Sequence, residues 1–289
     1  MLAYLRSVIR PVTVAELIQE YLRSPAFLSL SASSQAPYRR VVNRLARDVG
    51  ERSVRSLTRR DIEALLTART PGAANDLLKK VRILLRFAIE RGYRHDDPAF
   101  GIRRFPAGAG HHTWTEGEIG RYEARWPVGS RERLAFGLLL YTGQRRSDVV
   151  RMQWDDLVAG EQALCVTQRK TRAKLVIPVH AQLAAIFSSA ERRAGAILQT
   201  PFGKPFTAAG FGNWMAERIS EAKLPDRCVT HGLRKAAARR LAEAGCSAKE
   251  IASITGHATL REVERYTAAA EQARLAGQAM ARISYEICR

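Results

Sequence analysis

Cysteine is scarce in this chain of 289 residues. The four cysteines are Cys165, Cys228, Cys246 and Cys288, which are widely spaced and form no CxxC pair. This spacing disfavours both a disulfide framework and a zinc site built on cysteine pairs. We therefore expect reduced thiols, as in a cytoplasmic protein.

Long apolar runs are also missing from the sequence. The longest run, around residues 134–141, is far shorter than the roughly 20 apolar residues that a membrane-spanning helix needs. The N-terminal residues contain no apolar stretch typical of a signal peptide. These features predict a soluble cytoplasmic protein with no membrane partner.

Acidic residues are outnumbered by basic ones. The chain has 47 Lys and Arg against 28 Asp and Glu, a net charge of +19. The excess is spread along the chain, with 20 basic and 10 acidic residues in 1–110 and 27 and 18 in 111–289. An even excess favours contact with a long polyanion over a basic tail. The alternative explanation is that the basic excess only keeps the protein soluble.

The length allows one large domain or two ordinary ones, and an apolar fraction of 46% is enough for a sizeable core. Residues 101–113 (GIRRFPAGAGHHT) are rich in Gly and small residues, as linkers are. We therefore predict a domain at 1–104, a linker at 105–113 and a second domain at 114–289. The pair His111 and His112 is interpreted as part of the linker, because no carboxylate or Cys accompanies it as in a metal site.

Four helices are predicted in the first domain. Capping boxes begin at Thr13 and Thr58, and further helices are predicted at about 34–49 and 74–91, with a break at residues 71–72. In the last helix Lys79, Arg82 and Arg86 lie opposite the apolar stripe. Such a face, if it has no acidic partners, favours phosphate contact over simple solvation. The predicted DNA-binding residues are Lys79, Lys80, Arg82, Arg86, Arg103 and Arg104.

The most informative stretch is residues 231–266. His231 and Arg234 are three apart in a run of helix-forming residues, so one helix face carries both. Gly245 ends that helix, and capping boxes at Ser247 and at Thr259 begin two more. His257 lies between these boxes, and Tyr266 falls on the second turn of the last helix.

Two earlier motifs add further cations. The segment TGQRRSD at 142–148 follows a predicted buried helix and contains Arg145, with Asp148 three residues later and able to support its guanidinium. The apolar positions of 163–179 alternate around a polar centre, which predicts a β-hairpin with Lys170 near its tip.

These motifs in this order resemble the tyrosine recombinase (phage integrase) family. The chain has TGQR, then a lysine hairpin, HGLR, GH, and a tyrosine nine residues after that histidine. The resemblance covers about residues 11 to 285. It implies a mainly α fold with a small β-sheet, made of a helical DNA-clamping (core-binding) domain and a mixed α/β catalytic domain. The chain departs from the family in the hairpin turn, where Arg172 stands in place of the usual Gly or Asn.

The resemblance also implies site roles. Arg145 and Arg234 would bind the non-bridging oxygens of a phosphodiester, and His257 would donate a hydrogen bond to it. His231 would accept the proton of Tyr266, and Lys170 would protonate the leaving 5′-oxygen. Tyr266 would then be joined to the 3′-phosphate. This chemistry needs no metal, ATP or other cofactor.

The expected partner is double-stranded DNA, bound by a homotetramer, because exchange between two duplexes requires four strand cleavages. A type IB topoisomerase-like relaxing enzyme is the close alternative, since it uses the same chemistry without a partner site. A DNA-binding protein that has lost catalysis is the alternative from another class. The sequence leaves the target site and the biological role open.

Overall fold

The computed structural model describes residues 10–106, 108, 110–259, 263–264, 268, 272 and 275–283. It divides into two compact units, Met1–Gly110 (unit 1) and His111–Arg289 (unit 2). The described residues are mainly helical with one small antiparallel sheet, which confirms the predicted fold class. None of the helices in these ranges is long and apolar enough to cross a membrane.

The regular elements longer than one residue in the described part of unit 1 are all helices. Its α-helices are α1 (Val14–Arg23), α2 (Pro25–Leu28), α3 (Ala32–Val49), α4 (Arg59–Thr67) and α5 (Pro71–Glu90), with a 3-10 turn at Val54–Ser56. Both predicted capping boxes are formed, since the hydroxyls of Thr13 and Thr58 accept the backbone N–H three residues later. These caps satisfy N–H groups that have no partner within the helix.

Prolines begin two helices of unit 1, and the prediction was wrong at one of them. Pro71, predicted as a break, is the first residue of α5. Pro25 follows the end of α1 and begins the short helix α2, which Ser24 caps. A proline at the first helical position loses no hydrogen bond, since that N–H has no intrahelical acceptor. The aromatic rings of Tyr21, Phe27 and Phe87 pack in the core between these helices.

Unit 2 contains most of the predicted motifs. Its α-helices are α6 (Glu116–Arg125), α7 (Arg131–Thr142), α8 (Arg146–Val149), α9 (Ala181–Ser188), α10 (Ala208–Glu221), α11 (Thr230–Glu243) and α12 (Ala248–Thr255). Its strands β1 (Leu157–Val158), β2 (Ala163–Thr167) and β3 (Lys174–Pro178) form an antiparallel sheet in chain order. The register pairs Thr167 with Lys174, so the predicted hairpin is confirmed.

Helix α7 is the centre of unit 2. Leu134 to Leu140 are buried on every side, which explains the apolar run seen in the sequence. The helix packs against α11, α9 and α8, and it ends at Gly143, whose φ of 61° is easy only for glycine. The end of α7 therefore lies beside α11, where two of the predicted site residues are found.

Candidate active site

Arg234 joins the ends of two helices. It lies on α11 and is 2% exposed, and its Nη1 donates to the carbonyl oxygens of Gly143 at 2.7 Å and Thr255 at 2.6 Å. These carbonyls close α7 and α12, where the last carbonyl groups have no partner within the helix. The ends of both helices also carry negative partial charge, which favours a cation. The packing of three helices thus fixes the position of Arg234.

Arg145 is the N-cap residue of α8 and follows the turn that ends α7. Its Nη1 donates to Oε1 of Gln168 at 3.2 Å. Asp148 does not support it in the predicted way, because Oδ1 of Asp148 accepts the backbone N–H of Arg169 at 2.9 Å. The carboxylate therefore holds the lysine hairpin, and Gln168 takes the supporting position beside Arg145.

Gln168 is the centre of a buried hydrogen-bond network. Its Nε2 donates to Oε1 of Gln144 at 2.6 Å and to the carbonyl oxygen of Thr255 at 2.8 Å. The hydroxyl of Thr171 donates to its Oε1 at 2.6 Å. Gly256 leaves room for this amide, since a Cβ there would come within 2.3 Å of Gln168. The prediction from sequence assigned no role to Gln144 or Gln168, whose partners lie far along the chain.

The hairpin presents Lys170 in its turn, as predicted, and this lysine is exposed. The turn is closed by the backbone, with Gln168 donating to the carbonyl of Ala173 at 2.9 Å and Arg172 donating to that of Gln168 at 3.0 Å. Arg172 has a φ of 61°. This left-handed conformation explains why Gly or Asn suits the position and shows that Arg172 adopts it.

His231 lies on α11, one turn before Arg234. Its ring contacts that of His111, with the ring centres 4.9 Å apart. Burial, reinforced by His111, Arg234 and Arg145, lowers the pKa of His231 to about 4. The imidazole is therefore neutral at pH 7 and able to accept a proton. Lys235 holds His111 in place by donating to its carbonyl oxygen at 2.5 Å, so His111 packs on a site residue although the sequence placed it in a linker.

His257 follows the end of α12. Its Nδ1 lies 2.7 Å from the hydroxyl oxygen of Thr255. Burial lowers its pKa to about 3, with further contributions from Arg234, Arg145 and His231. Thr255 contacts both Arg234 and His257. Gln168 joins Thr255 to Arg145. With His231 one turn before Arg234 on α11, two guanidiniums and two imidazoles predicted from separate motifs therefore converge in one place.

One cluster in the described residues has the composition of a metal site. His112, Glu118 and Cys228 place their ligand atoms within 4.8 Å of one another. Glu118 is already bound, because its two carboxylate oxygens contact His112 Nε2 at 2.7 Å and Arg227 Nη2 at 3.2 Å. Burial and the Glu118 carboxylate raise the pKa of the Cys228 thiol to about 11. A buried carboxylate paired with Arg227 and His112, beside a protonated thiol, fits these contacts better than a set of metal ligands.

Tyr266, Tyr285 and the predicted capping box at 259–262 lie outside the described residues, apart from Thr259. The described residue nearest to Tyr266 before it is Glu264, preceded by Val263. Val263 is fully buried in a small cluster with Ala238 of α11 and Ile251 of α12. The chain therefore returns to the two helices that carry the site, three residues before Tyr266.

The predicted basic face of α5 is only partly available. Lys80, which was also predicted to bind DNA, forms an ion pair with Asp76 one turn earlier. Arg82 is half-buried and donates to the carbonyl oxygen of Ile102 at 2.6 Å, so it helps to fold unit 1. Lys79, Arg86, Arg103 and Arg104 are exposed.

Comparison with known proteins supports the resemblance. The sequence model of the phage integrase family matches residues 122–273. The tyrosine recombinase XerC 2 of Ralstonia nicotianae is 28% identical over 152 residues, which cover 49% of this chain and 43% of the relative. The integrase of Escherichia phage HK022 is 27% identical over 147 residues, covering 49% of this chain and 41% of the relative. The chain thus spans less than half the length of these relatives.

The fold is also similar to that of solved integrases. A lambda integrase tetramer bound to a Holliday junction superposes with a TM-score of 0.74 and 20% sequence identity, over 86% of this chain and 78% of that one. This likeness extends beyond the segment matched by the family model. Because that segment covers more than half of the chain and contains Arg145, Lys170, His231, Arg234, His257 and Tyr266, the protein belongs to the phage integrase family.

Proposed function

We propose that this protein is a site-specific DNA recombinase that cuts and rejoins strands through a covalent 3′-phosphotyrosine. The observation that carries the proposal is the convergence of Arg145, Arg234, His231 and His257 beside the ends of α7 and α12. Two guanidiniums and two imidazoles in one partly buried place suit a phosphodiester anion. The guanidiniums supply positive charge and the imidazoles supply hydrogen-bonding nitrogens, which together match an anion with several oxygen atoms.

The proposed step is an in-line transfer. The phenolic oxygen of Tyr266 forms a bond to phosphorus, and the bond from phosphorus to the 5′-oxygen breaks. His231, neutral at pH 7, takes the phenol proton, and Lys170 gives a proton to the departing 5′-oxygen. Arg145 and Arg234 neutralise the charge that grows on the non-bridging oxygens, which is the part a bound cation would otherwise play. Reversal of the step by another 5′-hydroxyl rejoins the strand.

We further propose that unit 1 holds the duplex through the exposed side chains Lys79, Arg86, Arg103 and Arg104. Their charges would neutralise phosphates without reading the sequence. A homotetramer on DNA is the expected assembly, since exchange between two duplexes needs four cleavages. The lambda integrase with a similar fold was captured as a tetramer on a Holliday junction, which supports this expectation.

A trapping experiment tests the activity. The protein is incubated in EDTA with a plasmid library of fragments from its host genome, stopped with SDS, and the attached DNA is sequenced. We expect an SDS-resistant adduct at a recurring sequence, joined through the 3′-phosphate. Cleavage that requires Mg²⁺ would refute the mechanism. Relaxation of any supercoiled plasmid by monomers would indicate a topoisomerase-like enzyme, and binding without an adduct a catalytically silent protein.

The Lys170→Ala variant tests the general acid. We expect cleavage of a normal strand to slow by roughly 10²–10⁴-fold, the usual contribution of a positioned acid. A substrate with a 5′-phosphorothiolate linkage should be cleaved at nearly the wild-type rate, because its sulfur leaves without a proton. Lys174→Ala, also an exposed hairpin lysine, is the control and should leave both rates unchanged. An equal defect of Lys170→Ala on both substrates would remove Lys170 from this role.

A further inference from the structure

Thr255 makes contacts to several groups of the candidate site. It is fully buried at the end of α12, and its backbone carbonyl accepts from Arg234 and from Gln168. Its hydroxyl oxygen lies 2.7 Å from the carbonyl oxygen of Ile251 and 2.7 Å from Nδ1 of His257. The side chain thus has a contact with His257 that is independent of its backbone contacts.

The position of the hydroxyl proton follows from these distances. A carbonyl oxygen can only accept, and two oxygens 2.7 Å apart attract each other only when a proton lies between them. The single proton of Thr255 therefore points to Ile251. The hydroxyl oxygen must then act as the acceptor toward His257, so Nδ1 of the imidazole carries a hydrogen.

This assignment fixes the tautomer of His257. A neutral imidazole has one N–H, and with that hydrogen on Nδ1 the other nitrogen, Nε2, is an acceptor. An acceptor nitrogen cannot donate to a phosphate oxygen. Donation from Nε2 requires the imidazolium form, which takes one proton from solvent.

We propose that Thr255 is a positioning residue that holds His257 in the Nδ1–H tautomer, so that His257 contacts a DNA phosphate only after it takes up a proton. The inference rests on the proposed function for the identity of the anion. Among the described residues, the charged and titratable groups that act on His257 are Arg234 and His231 of α11 and Arg145 before α8. The positive charges and burial disfavour protonation of the ring in the free protein. A bound anion favours protonation, because its negative charge stabilises the imidazolium.

The tautomer can be measured without DNA or activity. Nitrogen-15 NMR of the histidine rings at pH 7 should show His257 with its hydrogen on Nδ1 in the wild type and in Thr255→Ser, which keeps the hydroxyl. Thr255→Val has the same shape without a hydroxyl, and its His257 should shift toward the Nε2–H tautomer. An Nε2–H tautomer in the wild type would overturn the proposal, and the wild-type spectrum decides even if a variant folds poorly.

Proton uptake is measured with sulfate, a tetrahedral dianion that does not titrate between pH 5 and 8. Wild-type affinity should rise about tenfold per pH unit as pH falls from 6 to 5, as expected for uptake of one proton. The NMR signals of His257 should show that this ring takes up the proton. In Thr255→Val the sulfate affinity should change by less than about threefold per pH unit. A wild-type affinity that does not change with pH would refute the linkage. Failure of the wild type to form a DNA adduct would instead refute the proposed function and leave the tautomer result standing.

Discussion

Replacement of Tyr266 with Phe is expected to abolish the SDS-resistant DNA adduct and all strand cleavage. The variant lacks the one oxygen that would attack phosphorus and keeps the apolar ring, so its stability should change by no more than about 0.5 kcal/mol. DNA affinity should also be unchanged, because it depends on Lys and Arg contacts to phosphates. The measurements are gel analysis of the trapped adduct, thermal unfolding, and DNA binding at a fixed salt concentration.

Tyr285 provides the matched control, since it is another tyrosine of the C-terminal region and belongs to no family motif. Tyr285→Phe should form the adduct at the wild-type rate. Digestion of the wild-type adduct and mass spectrometry should then locate the nucleotide on the peptide that contains Tyr266. A nucleotide on Tyr285, or an adduct formed by Tyr266→Phe, would overturn the proposed nucleophile.

The Arg234→Lys variant should lose both activity and stability. An ammonium keeps the charge, but it ends a shorter side chain and lacks the further nitrogens that a guanidinium has beside Nη1, which here contacts the carbonyls of both Gly143 and Thr255. Loss of the donor to a buried carbonyl lowers the free energy of unfolding by about 1–3 kcal/mol. Loss of a preorganised charge in the transition state should slow cleavage by about 10²–10³-fold. Urea unfolding and single-turnover cleavage measure the two effects.

Arg240→Lys separates these effects from a general loss of arginine on α11. Arg240 is on the same helix, is partly exposed and forms an ion pair with Glu116. Such surface pairs contribute about 1 kcal/mol or less, so both stability and cleavage should stay near the wild-type values. If Arg234→Lys cleaved DNA as fast as Arg240→Lys, Arg234 would have only a structural role.

The sequence predicted the elements that depend on local contacts. The capping boxes at Thr13, Thr58 and Ser247 are all formed, because each joins residues three apart and needs no other part of the chain. The hairpin around Lys170 was predicted for a similar reason, since alternation of apolar residues depends only on the strand period. The ion pair between Asp76 and Lys80 is equally local and could have been predicted from their spacing of four residues.

The contacts within the candidate site could not be predicted in the same way. Gln168 reaches Gln144 and Thr255, and His111 reaches His231, across long separations in sequence. From the sequence alone, a glutamine such as Gln168 at the end of a strand and a histidine such as His111 in a Gly-rich segment are expected to lie on the surface. Only the packing of α7, α11 and α12 brings these residues together and buries Gln144, Gln168 and Thr255, so their importance is a property of the tertiary structure.

The hydrogen bonds that join Arg234 to Gly143 and Thr255 affect when the newly synthesised chain can fold. The two acceptors of Arg234 lie 91 residues before it and 21 residues after it, so both bonds form only when α12 has been synthesised and has packed. A product that stops after α11 keeps the arginine but lacks one of its acceptors, and burial of a cation with incomplete pairing is strongly unfavourable. Chains that end between α11 and α12 should therefore fail to fold stably and be degraded, so survival of the newly made protein depends on the synthesis of α12.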